Sequence, residues 1–120
     1  MSTFQHIRLE LAREPGHPRG DAGAGYDLVA PLDAEGRLDL AALNAEPERC
    51  HVRKFVDDAT VATGQLRHTT GDRWVLDLEP GDDVTGFRLG EEKFVLGEYV
   101  SMLTASGTQH TYAVKRLQPV

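Results

Sequence analysis

Cysteine occurs once in this chain of 120 residues, at Cys50. No internal disulfide can form, and no CxxC pair exists from which a structural zinc site could be built. The thiol is expected as a small buried or half-buried residue in a reducing compartment. Serine is almost as scarce: Ser2, Ser101 and Ser106 are the full set, and none lies in a GxSxG elbow. Nucleophilic catalysis by serine therefore has little to stand on. Long apolar runs are missing as well. Nowhere do roughly 18 uncharged apolar residues follow one another, as a spanning helix would need, and the terminal QPV carries no lipidation signal. Gln5, His6, Arg8 and Glu10 interrupt the stretch where a signal peptide would carry its apolar core. The expectation is a soluble, cytoplasmic chain with no membrane partner.

An excess of positive charge is also lacking. Lys and Arg number 13 against 19 Asp and Glu, a formal net charge of −6. Residues 1–60 and 61–120 are both acidic, and neither forms a basic arm. Such a chain is soluble and poorly suited to neutralising a row of phosphates. The densest basic run, Arg53-Lys54 beside Phe55, has two cations and does not make a nucleic-acid groove. Length adds a bound of its own. A chain of this size buries roughly two-thirds of its unfolded surface, enough for one modest core and one domain spanning residues 1–120.

What the sequence does have is alternation. Ile7, Leu9 and Leu11 alternate with Arg8 and Glu10, and Tyr26, Leu28, Ala30 and Leu32 repeat the period of two that places alternate side chains on one sheet face. Between them EPGHPRGDAGAG, residues 14–25, holds two prolines and four glycines and reads as a long flexible loop. Asp39 can cap the short helical stretch LAALNAE, which Pro47 ends. HVRKFV (51–56), Thr60 to His68 and Arg73 to Leu78 are further strands, the last two flanking a TTGD turn. Phe94 to Thr104 pairs with Gln109 to Leu117 across Ala105-Ser106-Gly107-Thr108. Gly64 and Gly97 lie inside strands, where glycine marks a bulge or a barrel corner.

About seven short, mainly antiparallel strands and one short helix result. Hairpins following one another argue for an all-β domain, and the internal glycines favour a small closed or partly open β-barrel over a sandwich.

The candidate chemistry is thin. His6, His17, His51, His68 and His110 show no HxH or HExxH spacing, so no metal is expected. The pairs Asp57-Asp58 and Asp82-Asp83 fall in turns and point to water. Arg19-Gly20-Asp21 spells an adhesion tripeptide, but a chain without a secretory leader would not meet its receptor. Gly23-Ala24-Gly25 precedes a strand, whereas a phosphate cradle needs a helix N-terminus at that point. Phe94-Val95-Leu96-Gly97-Glu98-Tyr99-Val100-Ser101 followed by His110-Thr111-Tyr112 resembles the barrel half of ferredoxin-reductase-like flavoproteins over about twenty residues. His110 stands where the RxYS motif of that family has its arginine, and Ala113 replaces the serine. With no room for a nucleotide domain, the segment is read as hairpin chemistry and no cofactor is expected.

Trp74, Phe87, Tyr99 and Tyr112 can plug a core, but Trp and Tyr also carry polar tips. Near Arg73, Arg88, His68 and His110 they would make a pocket or contact patch at a barrel mouth. The contact residues expected on this basis are Trp74, Arg88, Tyr99, His110 and Tyr112. The function expected is a non-enzymatic binding module for a protein partner or a small ligand. A structural or oligomer-forming domain is the alternative, with a homodimer as open as a monomer. An enzyme or enzyme subunit using His68, His110 and an acidic residue assembled across strands is the third.

Overall fold

The computed structural model describes residues 3–14, 16, 18–69, 73–81, 84–86 and 92–120. Eight antiparallel strands pair in chain order: β1 (Thr3–Leu11), β2 (Asp21–Leu32), β3 (His51–Val56), β4 (Ala59–Thr69), β5 (Arg73–Glu79), β6 (Val84–Gly86), β7 (Tyr99–Leu103) and β8 (Gln109–Pro119). β8 returns to pair with β1, from Gln5 opposite Pro119 to Leu11 opposite Tyr112, and so closes the barrel. The connections β1–β2, β3–β4, β5–β6 and β7–β8 gather at one end, the hairpin end. The β2–β3 connection, with helix α1 (Leu40–Ala45) and a 3₁₀ turn at Pro47–Arg49, lies at the other, the helix end. The all-β barrel expected from alternation is what forms. No helix among the described residues is long and apolar enough to cross a membrane.

The alternating residues are the ones that fill the interior. Ile7, Leu9, Leu28, Leu66, Leu76 and Val100 are all at most 1% exposed, and each such side chain contributes about 1.5–3 kcal/mol through burial. Trp74, Leu76 and Leu78 share the inner face of β5. At the helix end Leu43 of α1 and Phe94 complete the core. α1 starts as expected, the amide of Ala42 donating to Asp39 Oδ1 at 3.1 Å. The amide of Phe94 donates to the carbonyl of Gly36 at 2.7 Å and pins that plug in place.

Three details depart from the sequence reading. First, the loop expected over residues 14–25 is shorter, because Asp21–Gly25 already belongs to β2. Glycine permits the ladder here: a Cβ on Gly25 would lie 1.9 Å from the carbonyl oxygen of Leu9. A register shift between Glu10 and Leu11 absorbs the irregularity. Second, Phe94–Glu98 is not strand; the ladder starts at Tyr99, and Gly97 (φ +88) turns the chain into it. Third, β6 is an eighth strand of three residues, too short for alternation to show. Gly64 does sit inside β4, where a Cβ would meet the carbonyl oxygen of Asp77 at 1.6 Å. It lets β4 and β5 approach. The expected turn at Thr70–Asp72, Asp82-Asp83, His17, Phe87 and Arg88 lie outside the described residues.

Gly64→Ala must push β4 and β5 apart, and it is expected to lower unfolding free energy by at least about 2 kcal/mol, the range of overpacked cores. Urea denaturation of the two proteins measures this directly.

Candidate functional site

Three of the expected contact residues lie in or beside the β7–β8 hairpin, but they face two ways. On β8, His110, Tyr112 and Val114 share the inward parity, opposite Met102 and Val100 of β7. Tyr99 starts β7 on the outward parity opposite Ala113 and is 60% exposed. Trp74 is far from a rim role: it is buried at the helix end, with the ring of His68 edge-on at 4.8 Å. Its indole Nε1 is buried with no hydrogen-bond partner among the described residues. Arg88 lies outside the described residues. His68 precedes the β4–β5 connection and His110 follows the β7–β8 hairpin, so the structure sets these two histidines at opposite ends of the barrel.

The hairpin end is closed by a polar and aromatic cluster. His110 Nδ1 lies 3.0 Å from Glu14 Oε2. A carboxylate accepts only, so Nδ1 carries the hydrogen. Below them the rings of Tyr26 and Tyr112 meet edge-on, 5.2 Å between centroids, and their hydroxyls share a hydrogen bond. Burial raises the Tyr112 hydroxyl well above the ordinary tyrosine range, and neighbouring Tyr26 and Glu14 push the same way. Tyr26 is raised by burial, against the hydrogen bond from its partner. Glu14 and Tyr26 were not among the expected residues. Glu14 stands just before Pro15 in a stretch with no periodicity, so nothing local announces that it reaches β8.

Two clefts flank β1 on the outer wall. One, of 530 Å³, lies over β1 to β4 and is lined by His6, His51, Arg53, Asp27, Thr63 and Gln65 among others. Its charged groups lie within ion-pair distance of one another, although Asp27 Oδ1 and Arg53 Nε make no hydrogen bond among the described residues. Asp27 lies 3.3 Å from His6 Nε2 and 3.3 Å from Arg53 Nε. Arg8 spans the rim, bonded to Glu10 at 2.8 Å and to the carbonyl of Ala22 at 3.1 Å, its guanidinium 4.2 Å above the Phe55 ring. Phe55 is fully buried on the outside of the barrel, under Arg8 and Arg53.

The second cleft, of 510 Å³, runs over β1, β8 and the start of β7. Leu11 and Ala113 give it apolar surface, Thr111 a hydroxyl and Tyr99 an exposed ring. Arg13 and Arg19, from the β1–β2 loop, and Lys115, from β8, bring three cations, none ion-paired among the described residues. Lys115 lines it because it shares the outward parity of Thr111 and Ala113 on β8, and the bulge that follows, where Arg8 pairs with Arg116 but Leu9 with Val114, turns Arg116 outward as well. The two acids of the lining are already engaged: Glu10 accepts from Arg8, and Asp21 Oδ1 from the amide of Gly23 at 2.9 Å. No group of three or more metal-ligating side chains occurs among the described residues. The lone thiol, Cys50, is buried in the core and pushed up to about 11 by that burial. No protein-family model, curated protein or solved structure matches the chain.

Because Tyr26 and Tyr112 hold their protons more tightly folded than unfolded, their contribution to stability is complete below the ordinary tyrosine value of about 10 and is lost as pH rises beyond it. Unfolding free energy is expected to fall steadily above pH of about 10, and less steeply in Tyr112→Phe. Denaturant titrations at a series of alkaline pH values test this.

Proposed function

We propose that this chain is a non-enzymatic β-barrel binding module that takes a small ligand at the cleft over β1, β7 and β8. The observation that carries this is the pairing of an exposed ring, Tyr99, with three cations in one concavity, none of them ion-paired among the described residues. The volume of 510 Å³ falls in the usual range for small-molecule sites, about 300–1,000 Å³. Tyrosine offers a rigid apolar face with a polar tip, and arginine a planar fork of donors. In this reading the aromatic and arginine character expected of a rim belongs to the barrel wall, with Tyr99 the one expected residue among the cleft's lining. His110 and Tyr112 support the site from inside: Glu14 lies between Arg13 and Arg19 in the chain, and its bond to His110 fastens the loop that carries both arginines. A cytoplasmic location belongs to the same proposal, with the buried thiol of Cys50 having no disulfide partner in the chain.

A thermal-shift screen of common metabolites checks the binding role. A ligand at a hundredfold excess over its Kd stabilises by about 2.7 kcal/mol, a shift of several degrees in Tm for a domain of this size. The shift is expected to disappear in Tyr99→Ala. Absence of any hit, or hits indifferent to Tyr99→Ala, would exclude binding at this cleft.

The alternative of an oligomer-forming domain is favoured by Val95 and Leu96, 44% and 60% exposed just before Tyr99. If that patch joins two copies, sedimentation velocity will show a dimer that Leu96→Glu dissociates. A monomer at all concentrations removes the alternative.

A further inference from the structure

We infer that the ligand of the Tyr99 cleft is a phosphomonoester carried on a flat ring. The inference rests on the binding role proposed above and names the chemical class of its ligand.

Charge gives the first step. Three cations line the cleft; of its two carboxylates Glu10 is taken by Arg8, whereas Asp21, bonded only to a neutral backbone amide, keeps its charge and offsets one cation. A neutral ligand would leave two positive charges uncompensated, the three cations less the one that Asp21 offsets, and a single carboxylate would leave one. A phosphomonoester, with about −1.5 to −2 charges at neutral pH and three acceptor oxygens, comes closest to matching them. The two arginines suit it further, because the guanidinium fork binds phosphate oxygens in pairs.

The chain as a whole carries −6 and at long range repels such an anion. At physiological ionic strength that field is screened within about 8 Å, so the cations of the cleft decide what settles there. The ring comes from the other side of the site. Tyr99, opposite Ala113 in the ladder, is 60% exposed, and an exposed aromatic ring is a surface that water solvates poorly and that a second ring covers by stacking. Neither feature needs the glycine-rich stretch before Tyr26. Gly25 is used instead for the close approach of β2 to β1.

The neighbouring cleft offers a contrast within the same barrel. It is of similar volume, but Asp27 lies within ion-pair distance of His6 and Arg53, so no comparable surplus of charge remains.

Isothermal titration of the full chain with four probes tests the assignment: phenyl phosphate, inorganic phosphate, benzoate and phenol. Phenyl phosphate is expected to bind at least about tenfold more tightly than each of the others, and more weakly as salt is raised. Arg13→Gln, Arg19→Gln and Lys115→Gln should each weaken it about tenfold, the scale of one charge-assisted hydrogen bond. Arg116→Gln, next along β8 but outside the cleft lining, should leave it unchanged, and circular dichroism confirms that each variant folds.

Benzoate or phenol binding as tightly as phenyl phosphate overturns the phosphomonoester while leaving the binding role intact. The same holds if none of the four binds but the metabolite screen gives a Tyr99-dependent hit. A phosphotyrosyl peptide binding far more tightly than phenyl phosphate overturns it in favour of a protein ligand. If neither the probes nor the screen yields Tyr99-dependent binding, both the ligand class and the binding role fall.

Discussion

The width of an eight-stranded barrel is the constraint from which the rest follows. A ring of eight strands leaves an interior that side chains can just fill, and here aliphatic residues from every long strand occupy it. Filling the tube leaves two ends to stop. At the helix end the stoppers are apolar, Leu43 and Phe94, with Trp74 close behind. At the hairpin end they are tyrosines and an imidazole–carboxylate pair. The occupied interior also explains why the two clefts beside β1 lie on the outer wall. A ligand inside would have to displace the core, whereas the wall offers space wherever the sheet bends away from a loop.

The outer wall is organised by β1. Its outward residues His6, Arg8 and Glu10 separate the two clefts, and Arg8 joins them by holding Glu10 on one side and standing over Phe55 on the other. Individually such surface pairs are worth little, about 0–1 kcal/mol. Their effect here is distributive. By engaging Glu10, Arg8 removes a negative charge from the cleft over β8, and Arg13, Arg19 and Lys115 are left in the majority there.

Much of the architecture was legible because alternation reports burial directly. Ile7 and Leu9, Tyr26 through Leu32, and Trp74 through Leu78 place the right side chains inside without any knowledge of pairing. Asp39 likewise announces its helix through a purely local hydrogen bond. What failed was local inference where a distant strand intervenes. Asp21–Gly25 has the composition of a loop, yet the approach of Leu9 makes glycine the residue a ladder requires. Gly97 has the same composition and serves a turn. The candidate site was half legible for the same reason. Tyr99, His110 and Tyr112 stood out as aromatic and titratable residues in a strong hairpin, but which face each would take depends on register. Glu14, Arg13 and Arg19 come from a stretch without periodicity, and only the fold shows that they meet β8. Trp74, the most conspicuous aromatic in the sequence, went to the core.

The pairing of β1 with β8 has a consequence for how the molecule is made. Strand β1 is synthesised first and finds β2 within a few residues, but its other edge waits for a partner more than a hundred residues away, Gln5 opposite Pro119. Joining such distant segments costs loop entropy before any contact rewards it, and topologies of this kind fold slowly. Until then β1 presents an open edge, the template on which strands of other chains can add. His6, Arg8 and Glu10 alternate along that strand, and charged side chains such as the last two disfavour the addition of a foreign strand to an open edge.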